Sequence, residues 1–171
     1  VSAPFAADPV PLVFAMKFLR PALLCAALAG HAFAADYVES YDTIYQRLMV
    51  ERRGDIVELR ARARGSEALE SAVDLSDPLK LVVPYTRSLF GELFLQPKPQ
   101  RVLMIGLGGA GFHRMFAAAY PDALLQTVEL DAKVLELTRT RMEFKPTEKT
   151  PVAVMDGRIF VKRDKQQWDW L

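Results

Sequence analysis

The sequence has few of the residues that form metal centres and covalent cross-links. Its 171 residues include one cysteine, Cys25, and two histidines, His31 and His113. One cysteine excludes an intramolecular disulfide, and no cysteine–histidine spacing indicates zinc. A large excess of charge is also missing, because the formal net charge is only +1, so nucleic acid is not expected as a partner. We therefore expect a small-molecule ligand and no metal.

A stable membrane-spanning run is absent as well, but the N-terminus has the pattern of an export signal. Residues 16–20 are basic, residues 21–30 form a short apolar run, and Ala32–Ala34 has the small-x-small form read by signal peptidase. We expect residues 1–34 to be an upstream extension plus a signal peptide, cleaved after Ala34, and the protein to be exported or periplasmic. An uncleaved N-terminal helix or anchor, or a cytoplasmic location, is the alternative.

Glycine is sparse but concentrated, since four of the nine glycines lie within six residues. An apolar strand, Val102–Ile105, leads into Gly106-x-Gly108-x-x-Gly111, and a helix-like stretch, 112–120, follows. In this arrangement the first glycine permits a tight turn, the second lets the backbone approach a ligand, and the third lets the helix pack on the strand. The pattern predicts half of a domain that holds an adenosine group.

An acid lies where such a domain needs one. A second apolar run, Leu124–Leu130, includes Glu129, which follows the glycines by about 20 residues, the usual place of a carboxylate that accepts both ribose hydroxyls. The alternative is a glycine turn that only connects a strand to a helix, and the acid would then be a coincidence.

The segment before the glycine turn predicts a small antiparallel sheet. Strands are expected over Tyr41–Val50, Ile56–Leu59 and Glu70–Leu75, separated by turn residues, and a helix is expected from Pro84. We divide the chain into 1–34, the small β-domain 35–83, the helix and linker 84–100, and the N-terminal half of a Rossmann-like cofactor-binding domain 101–171.

The segment after the turn alternates helices with strands. A helix over 131–144, a strand over Val152–Met155 that Asp156-Gly157 closes, a helix from Ile159, and the start of a fourth strand at 168–171 are expected. The fold class is therefore α/β, a Rossmann-like parallel sheet incomplete at the C-terminus and preceded by the antiparallel domain. Because such sheets bind ligands between two sets of strands, we expect the chain to be a fragment.

These residues together resemble the polyamine aminopropyltransferases, the spermidine synthase family. The similarity covers Tyr41–Leu171 and is best at 102–111, 128–131, 155–157 and 168–169. It implies S-adenosylmethionine or its decarboxylated form as cofactor, without a metal, and implies Tyr85 as a residue of the substrate cleft. The residues implied to bind the cofactor are Gly106, Gly108, Gly109 and Gly111 in the loop, Glu129 at the ribose, and Asp156 and Gly157 at the adenine.

The chain also departs from the family's pattern. Gly109 stands where the family usually has an aspartate, and Thr86-Arg87 stands where it has His-Glu. The family's catalytic aspartate is expected beyond Leu171, so the catalytic residues are unknown and this chain is expected not to catalyse aminopropyl transfer. We expect Asp131 to start a helix and Asp169 to serve structure. His113 is interpreted as an exposed or packed helix residue, with a ligand role as the alternative.

The leading interpretation is thus a spermidine synthase-like transferase that acts on a small molecule, with a polyamine as one option. A methyltransferase shares the fold, and an NAD-dependent oxidoreductase shares the glycine turn and the acid. A non-catalytic exported binding protein agrees best with the export signal. A homodimer is left open.

Overall fold

The computed structural model describes residues 35–63, 65–93 and 98–171, all within one compact unit, Phe33–Leu171. The expected signal peptide, with Cys25 and His31, lies outside the described residues. Among the helices that are described, none is long and apolar enough to cross a membrane.

The first half of the unit is an antiparallel sheet of four strands in the order β1-β2-β3-β4. Opposed residues such as Val50 and Leu59 are both buried, because alternate positions of neighbouring strands point to the same face. The strands are β1 (Tyr37–Asp42), β2 (Arg47–Arg53), β3 (Ile56–Ala63) and β4 (Ser66–Asp74).

The prediction of a single strand from Tyr41 to Val50 is wrong, because the chain turns between β1 and β2. Thr43 makes this turn without help from glycine or proline. Its hydroxyl oxygen accepts hydrogen bonds from the backbone N–H groups of Tyr45 and Gln46, each at 3.1 Å. Threonine side chains can replace a backbone acceptor in this way, but they do so in many other places, so the turn left no clear signal in the sequence.

The second half is a parallel sheet in the order β5-β6-β7 with helices between its strands, which confirms the predicted fold class. Trp170 forms one further parallel bridge with Val102 on the other edge of β5, where the fourth strand was expected. The elements are α1 (Pro84–Glu92), β5 (Arg101–Ile105), α2 (Gly111–Ala119), β6 (Leu124–Glu129), α3 (Ala132–Arg141), β7 (Val152–Val154) and α4 (Gly157–Arg163).

The two sheets share a hydrophobic core. Leu48 and Leu59 of the antiparallel sheet pack in one cluster with Leu107 of the glycine turn and with Val134 and Met142 from the α3 region. The antiparallel sheet therefore covers the glycine turn, and the space between them is where a site can form.

An ion pair on the surface joins the same two halves. The guanidinium of Arg141, at the end of α3, donates to Glu39 of β1 at 2.9 and 3.0 Å, and the hydroxyl of Tyr41 donates to Glu39 at 2.5 Å. Arg141, followed by Tyr41, lowers the pKa of the Glu39 carboxyl. This contact fixes β1 beside α3.

Candidate cofactor site

The glycine turn between β5 and α2 has a left-handed backbone at three places. The φ angles are 99° at Gly106, 53° at Gly108 and 59° at Ala110. Gly106 and Gly108 adopt such angles without a steric penalty because glycine has no Cβ. Ala110 adopts a similar angle although its Cβ disfavours it. The turn bends the chain sharply at the end of β5 and starts α2 at once.

Glu129 connects the ends of β5 and β6. Its Oε2 accepts a hydrogen bond from the N–H of Leu107 at 2.9 Å, and its Oε1 accepts one from the N–H of Asp131 at 2.8 Å. The residue is only 8% exposed. Each carboxylate oxygen can accept more than one hydrogen bond, so the carboxylate is held in place and still has acceptor capacity.

A cavity of about 290 Å³, which we call the inner cavity, lies between the glycine turn and the antiparallel sheet. Of the residues described, no lysine, arginine or histidine lines it, whereas two carboxylates, Glu70 and Glu129, do. Tyr85 lines it too, and its hydroxyl donates to the carbonyl of Glu70 at 2.9 Å. Burial raises the pKa of the Tyr85 hydroxyl. The inner cavity therefore has a negative local charge and favours a cation.

A wider cavity of about 970 Å³, the outer cavity, lies at the end of β6, where Leu130 follows Glu129. Asp156 lines this cavity and caps α4, accepting from the N–H groups of Arg158 at 2.8 Å and Ile159 at 3.3 Å. The hydrogen bond from the Arg158 side chain lowers the pKa of Asp156 to about 2. The backbone N–H groups lower it further, and desolvation opposes them. Asp156 is thus an ionised acceptor at the rim of the cavity.

Asp131 lies between these groups and starts α3, as expected. Its Oδ1 accepts from the N–H of Lys133 at 2.9 Å. Its Oδ2 is buried and has no hydrogen-bond partner in the part of the chain that the structure describes. Buried polar atoms are rarely left without a partner. The residue lines the outer cavity, and its unpartnered oxygen is shielded from solvent.

The remaining predicted glycines have packing roles. A Cβ on Gly109 would lie 2.8 Å from both Ser71 Oγ and Met142 Sδ, and one on Gly157 would lie 2.8 Å from a methyl group of Ile105. Gly111 lies beside the backbone of β4 at an ordinary distance. Gly106 and Gly108 line the inner cavity, whereas Gly109, Gly111 and Gly157 line neither cavity.

Two polar residues of the inner cavity were not predicted from the sequence, Glu70 and Gln46. Neither side chain forms a hydrogen bond or an ion pair with a residue that the structure describes. Glu70 lies on an exposed part of β4 and Gln46 follows a surface turn, so only the folding of the sheet over the glycine turn brings them to the cavity. No group of three or more His, Cys, Asp or Glu side chains able to hold a metal occurs within the described ranges.

Most of the matching curated relatives are polyamine aminopropyltransferases. No family model matches the chain. It is 29% identical to a polyamine aminopropyltransferase of Vibrio vulnificus (strain CMCP6) over 159 residues, which are 91% of this chain and 50% of that protein. It is 34% identical to a polyamine aminopropyltransferase of Chromobacterium violaceum over 106 residues, 61% of this chain and 40% of that protein. The chain thus spans half or less of the length of these relatives.

A solved structure of a probable spermidine synthase from Corynebacterium glutamicum has a similar fold, with a TM-score of 0.62 and 22% identity over 73% of this chain and 47% of that chain. The chain is thus similar to polyamine aminopropyltransferases in sequence and to a spermidine synthase in fold. The resemblance inferred from the glycine turn and Glu129 is confirmed as such a similarity.

Two residues that depart from the spermidine synthase pattern, Thr86 and Arg87, bind backbone carbonyls outside the inner cavity. Arg87 does not line the inner cavity, because its side chain donates to the carbonyl of Leu81 at 2.8 Å. The hydroxyl of Thr86 donates to the carbonyl of Val83 at 2.6 Å. The cation at position 87 therefore does not oppose a cationic ligand in the cavity, and Glu70 supplies a carboxylate there.

Proposed function

We propose that this chain binds an S-adenosyl compound, with the adenine in the outer cavity, the ribose at Glu129, and the sulfur-bearing tail in the inner cavity. One observation carries the proposal: the Glu129 carboxylate, fixed by the glycine turn, lines the inner cavity, and the next two residues, Leu130 and Asp131, line the outer cavity. A carboxylate in this position is suited to accept hydrogen bonds from the two ribose hydroxyls.

The residues present fit such a compound. The ionised Asp156 offers an acceptor to an amino group in the outer cavity. When bound, S-adenosylmethionine or its decarboxylated form would supply a carbon made electrophilic by the positively charged sulfur beside it. The negative inner cavity suits that positive charge.

The second ligand that we propose is an amine, and a polyamine is the class that the relatives' name suggests. A carboxylate attracts the cationic form of an amine. Glu70 is the carboxylate of the inner cavity without a partner among the described residues, and we assign it the binding of the amine. Aminopropyl transfer itself is not expected of this chain, because Gly109 and Thr86-Arg87 depart from the family's pattern. Export through residues 1–34 is proposed as well, as the sequence predicts.

The test is calorimetry with S-adenosylhomocysteine and putrescine as separate ligands. Glu129→Ala is expected to lower the affinity for S-adenosylhomocysteine by about ten- to a hundredfold, since it removes charge-assisted hydrogen bonds of about 1.5–3 kcal/mol. Glu70→Gln is expected to lower the affinity for putrescine and to leave the affinity for S-adenosylhomocysteine nearly unchanged. Glu148→Ala removes an exposed carboxylate that lines neither cavity. It is the matched control and should change neither affinity.

Wild-type protein that binds neither S-adenosylhomocysteine nor S-adenosylmethionine would overturn the proposal, and binding of NAD instead would favour an oxidoreductase. Incubation with putrescine and decarboxylated S-adenosylmethionine checks the prediction from Gly109 and Thr86-Arg87 that this chain does not transfer aminopropyl groups. Methyl transfer to an amine from S-adenosylmethionine would favour the methyltransferase alternative.

A further inference from the structure

The glycine turn is held on its outer side by a threonine that no sequence motif singles out. Thr138 of α3 is fully buried, and its hydroxyl donates to the carbonyl of Gly108 at 2.6 Å. Buried threonine in a helix usually donates to its own helix. Here the hydroxyl leaves the helix and binds the turn.

Arg114 of α2 holds the next carbonyl. Its guanidinium donates to Gly109 O at 3.3 Å and to the carbonyl of Met142, and lies 6.0 Å from the ring centre of Phe144. Burial lowers the pKa of Arg114. The two consecutive carbonyls of the turn are thus bound by side chains from the two helices that flank it.

Binding these carbonyls fixes the direction of the N–H groups that follow them. A trans peptide is planar, so its C=O and N–H point in opposite directions. When Thr138 holds the carbonyl of Gly108, the N–H of Gly109 points away from α3. Glycine lacks the side chain that would otherwise restrict its φ and ψ angles, so the turn itself does little to keep this orientation.

We propose that Thr138 is a positioning residue of the cofactor site, supported by Arg114, and that it keeps the glycine turn in the conformation that receives the tail of the S-adenosyl compound. This rests on the proposed function. Thr138 does not touch the ligand, because it lines neither cavity. Its effect on the ligand passes through the Gly108 carbonyl.

The experiment compares three threonine variants at a temperature where all are folded. Thr138→Val keeps the shape and removes the hydroxyl, Thr138→Ser keeps the hydroxyl, and Thr140→Val removes an exposed hydroxyl that bonds within α3 to the carbonyl of Glu136. We expect Thr138→Val to weaken the affinity for S-adenosylhomocysteine by about tenfold. We also expect it to speed amide exchange of Ala110, whose N–H donates to the carbonyl of Leu107 within the turn at 3.2 Å, by a similar factor. Thr138→Ser should restore both values to within about threefold of wild type, and Thr140→Val should change neither.

Two results would overturn the assignment. One is a Thr138→Val variant whose affinity and turn exchange equal those of wild type. The other is a variant with a lower Tm but unchanged affinity, which would show a purely structural threonine. Amide exchange is measured without ligand, so it tests the positioning of the turn even if wild-type protein binds no S-adenosyl compound.

Discussion

At the scale of single residues, His113 has a structural role, and the packed interpretation is the one the structure supports. The side chain is fully buried on α2, and its Nε2 lies 2.7 Å from the hydroxyl of Thr127. Burial lowers the pKa of His113 to about 3, because a charged imidazole would lose its hydration. The ring is therefore neutral in the folded protein at any pH near neutrality.

This burial makes stability depend on pH. Between an unfolded pKa of about 6.5 and the folded value of about 3, the unfolded chain binds a proton at His113 that the folded chain does not. Stability is thus fully present above pH 6.5 and falls as the pH is lowered, with a slope approaching about 1.4 kcal/mol per pH unit. Denaturant unfolding at pH 7, 6 and 5 measures this slope.

The double variant His113→Phe with Thr127→Val removes the titrating imidazole and its hydrogen-bond partner, and it should flatten the profile between pH 7 and 5. Thr140→Val, which keeps both of these residues and removes an exposed hydroxyl, is the control and should keep the wild-type slope. A wild-type stability that is constant between pH 7 and 5 would contradict the effect ascribed to His113.

At the scale of elements, the glycine turn has no space for an acidic side chain at position 109. The aspartate that the spermidine synthase family usually has there would need the space that Ser71 and Met142 fill, since even a Cβ would approach each to 2.8 Å. The packing of Ser71 and Met142 against the turn therefore requires glycine at position 109.

Gly109→Ala should accordingly cost about 1–3 kcal/mol of unfolding free energy, because an added methyl group in a filled core forces its neighbours to move. Gly91→Ala is the matched control: it lies in α1 with nothing within 4 Å of the added Cβ, and it should leave stability unchanged or raise it by up to about 1 kcal/mol. Urea unfolding of both variants gives the comparison. Equal stabilities of Gly109→Ala and wild type would show that the turn has room for a side chain.

The same elements show how far the sequence could predict the structure. The strands and helices around Gly106 and Asp131 were predictable, because glycine, helix-capping acids and apolar runs mark their ends. The hairpin at Thr43 was not, because its turn depends on a hydroxyl. Glu70 could not be placed in a site from the sequence, since its contact with the cavity arises only when β4 folds over the glycine turn.

At the scale of the whole molecule, the hydrogen bonds of the antiparallel sheet begin two residues after the expected cleavage point at Ala34. Asp36, just before β1, donates its N–H to the carbonyl of Arg52 at 2.7 Å and accepts from the N–H of Gly54 at 2.8 Å. Cleavage after Ala34 would leave these contacts intact, so the proposed processing is compatible with the fold.

We expect the intact mass of the protein from the periplasm of a bacterial host to correspond to a chain that begins at Ala35. Ala34→Glu should block this processing, because the peptidase needs a small residue before the cut. Ser40→Glu, beyond the expected site, should not. A cytoplasmic protein that keeps residues 1–34 would contradict export.

The bridge between Val102 and Trp170 has a consequence for synthesis on the ribosome. Asp169 accepts a hydrogen bond from the N–H of Arg101, 68 residues earlier in the chain, at 2.8 Å. At about 5–20 residues per second, the partner of this edge is translated roughly 3–14 seconds after β5. During that interval the nascent chain presents an unpaired strand edge, which can pair with another chain unless it is protected.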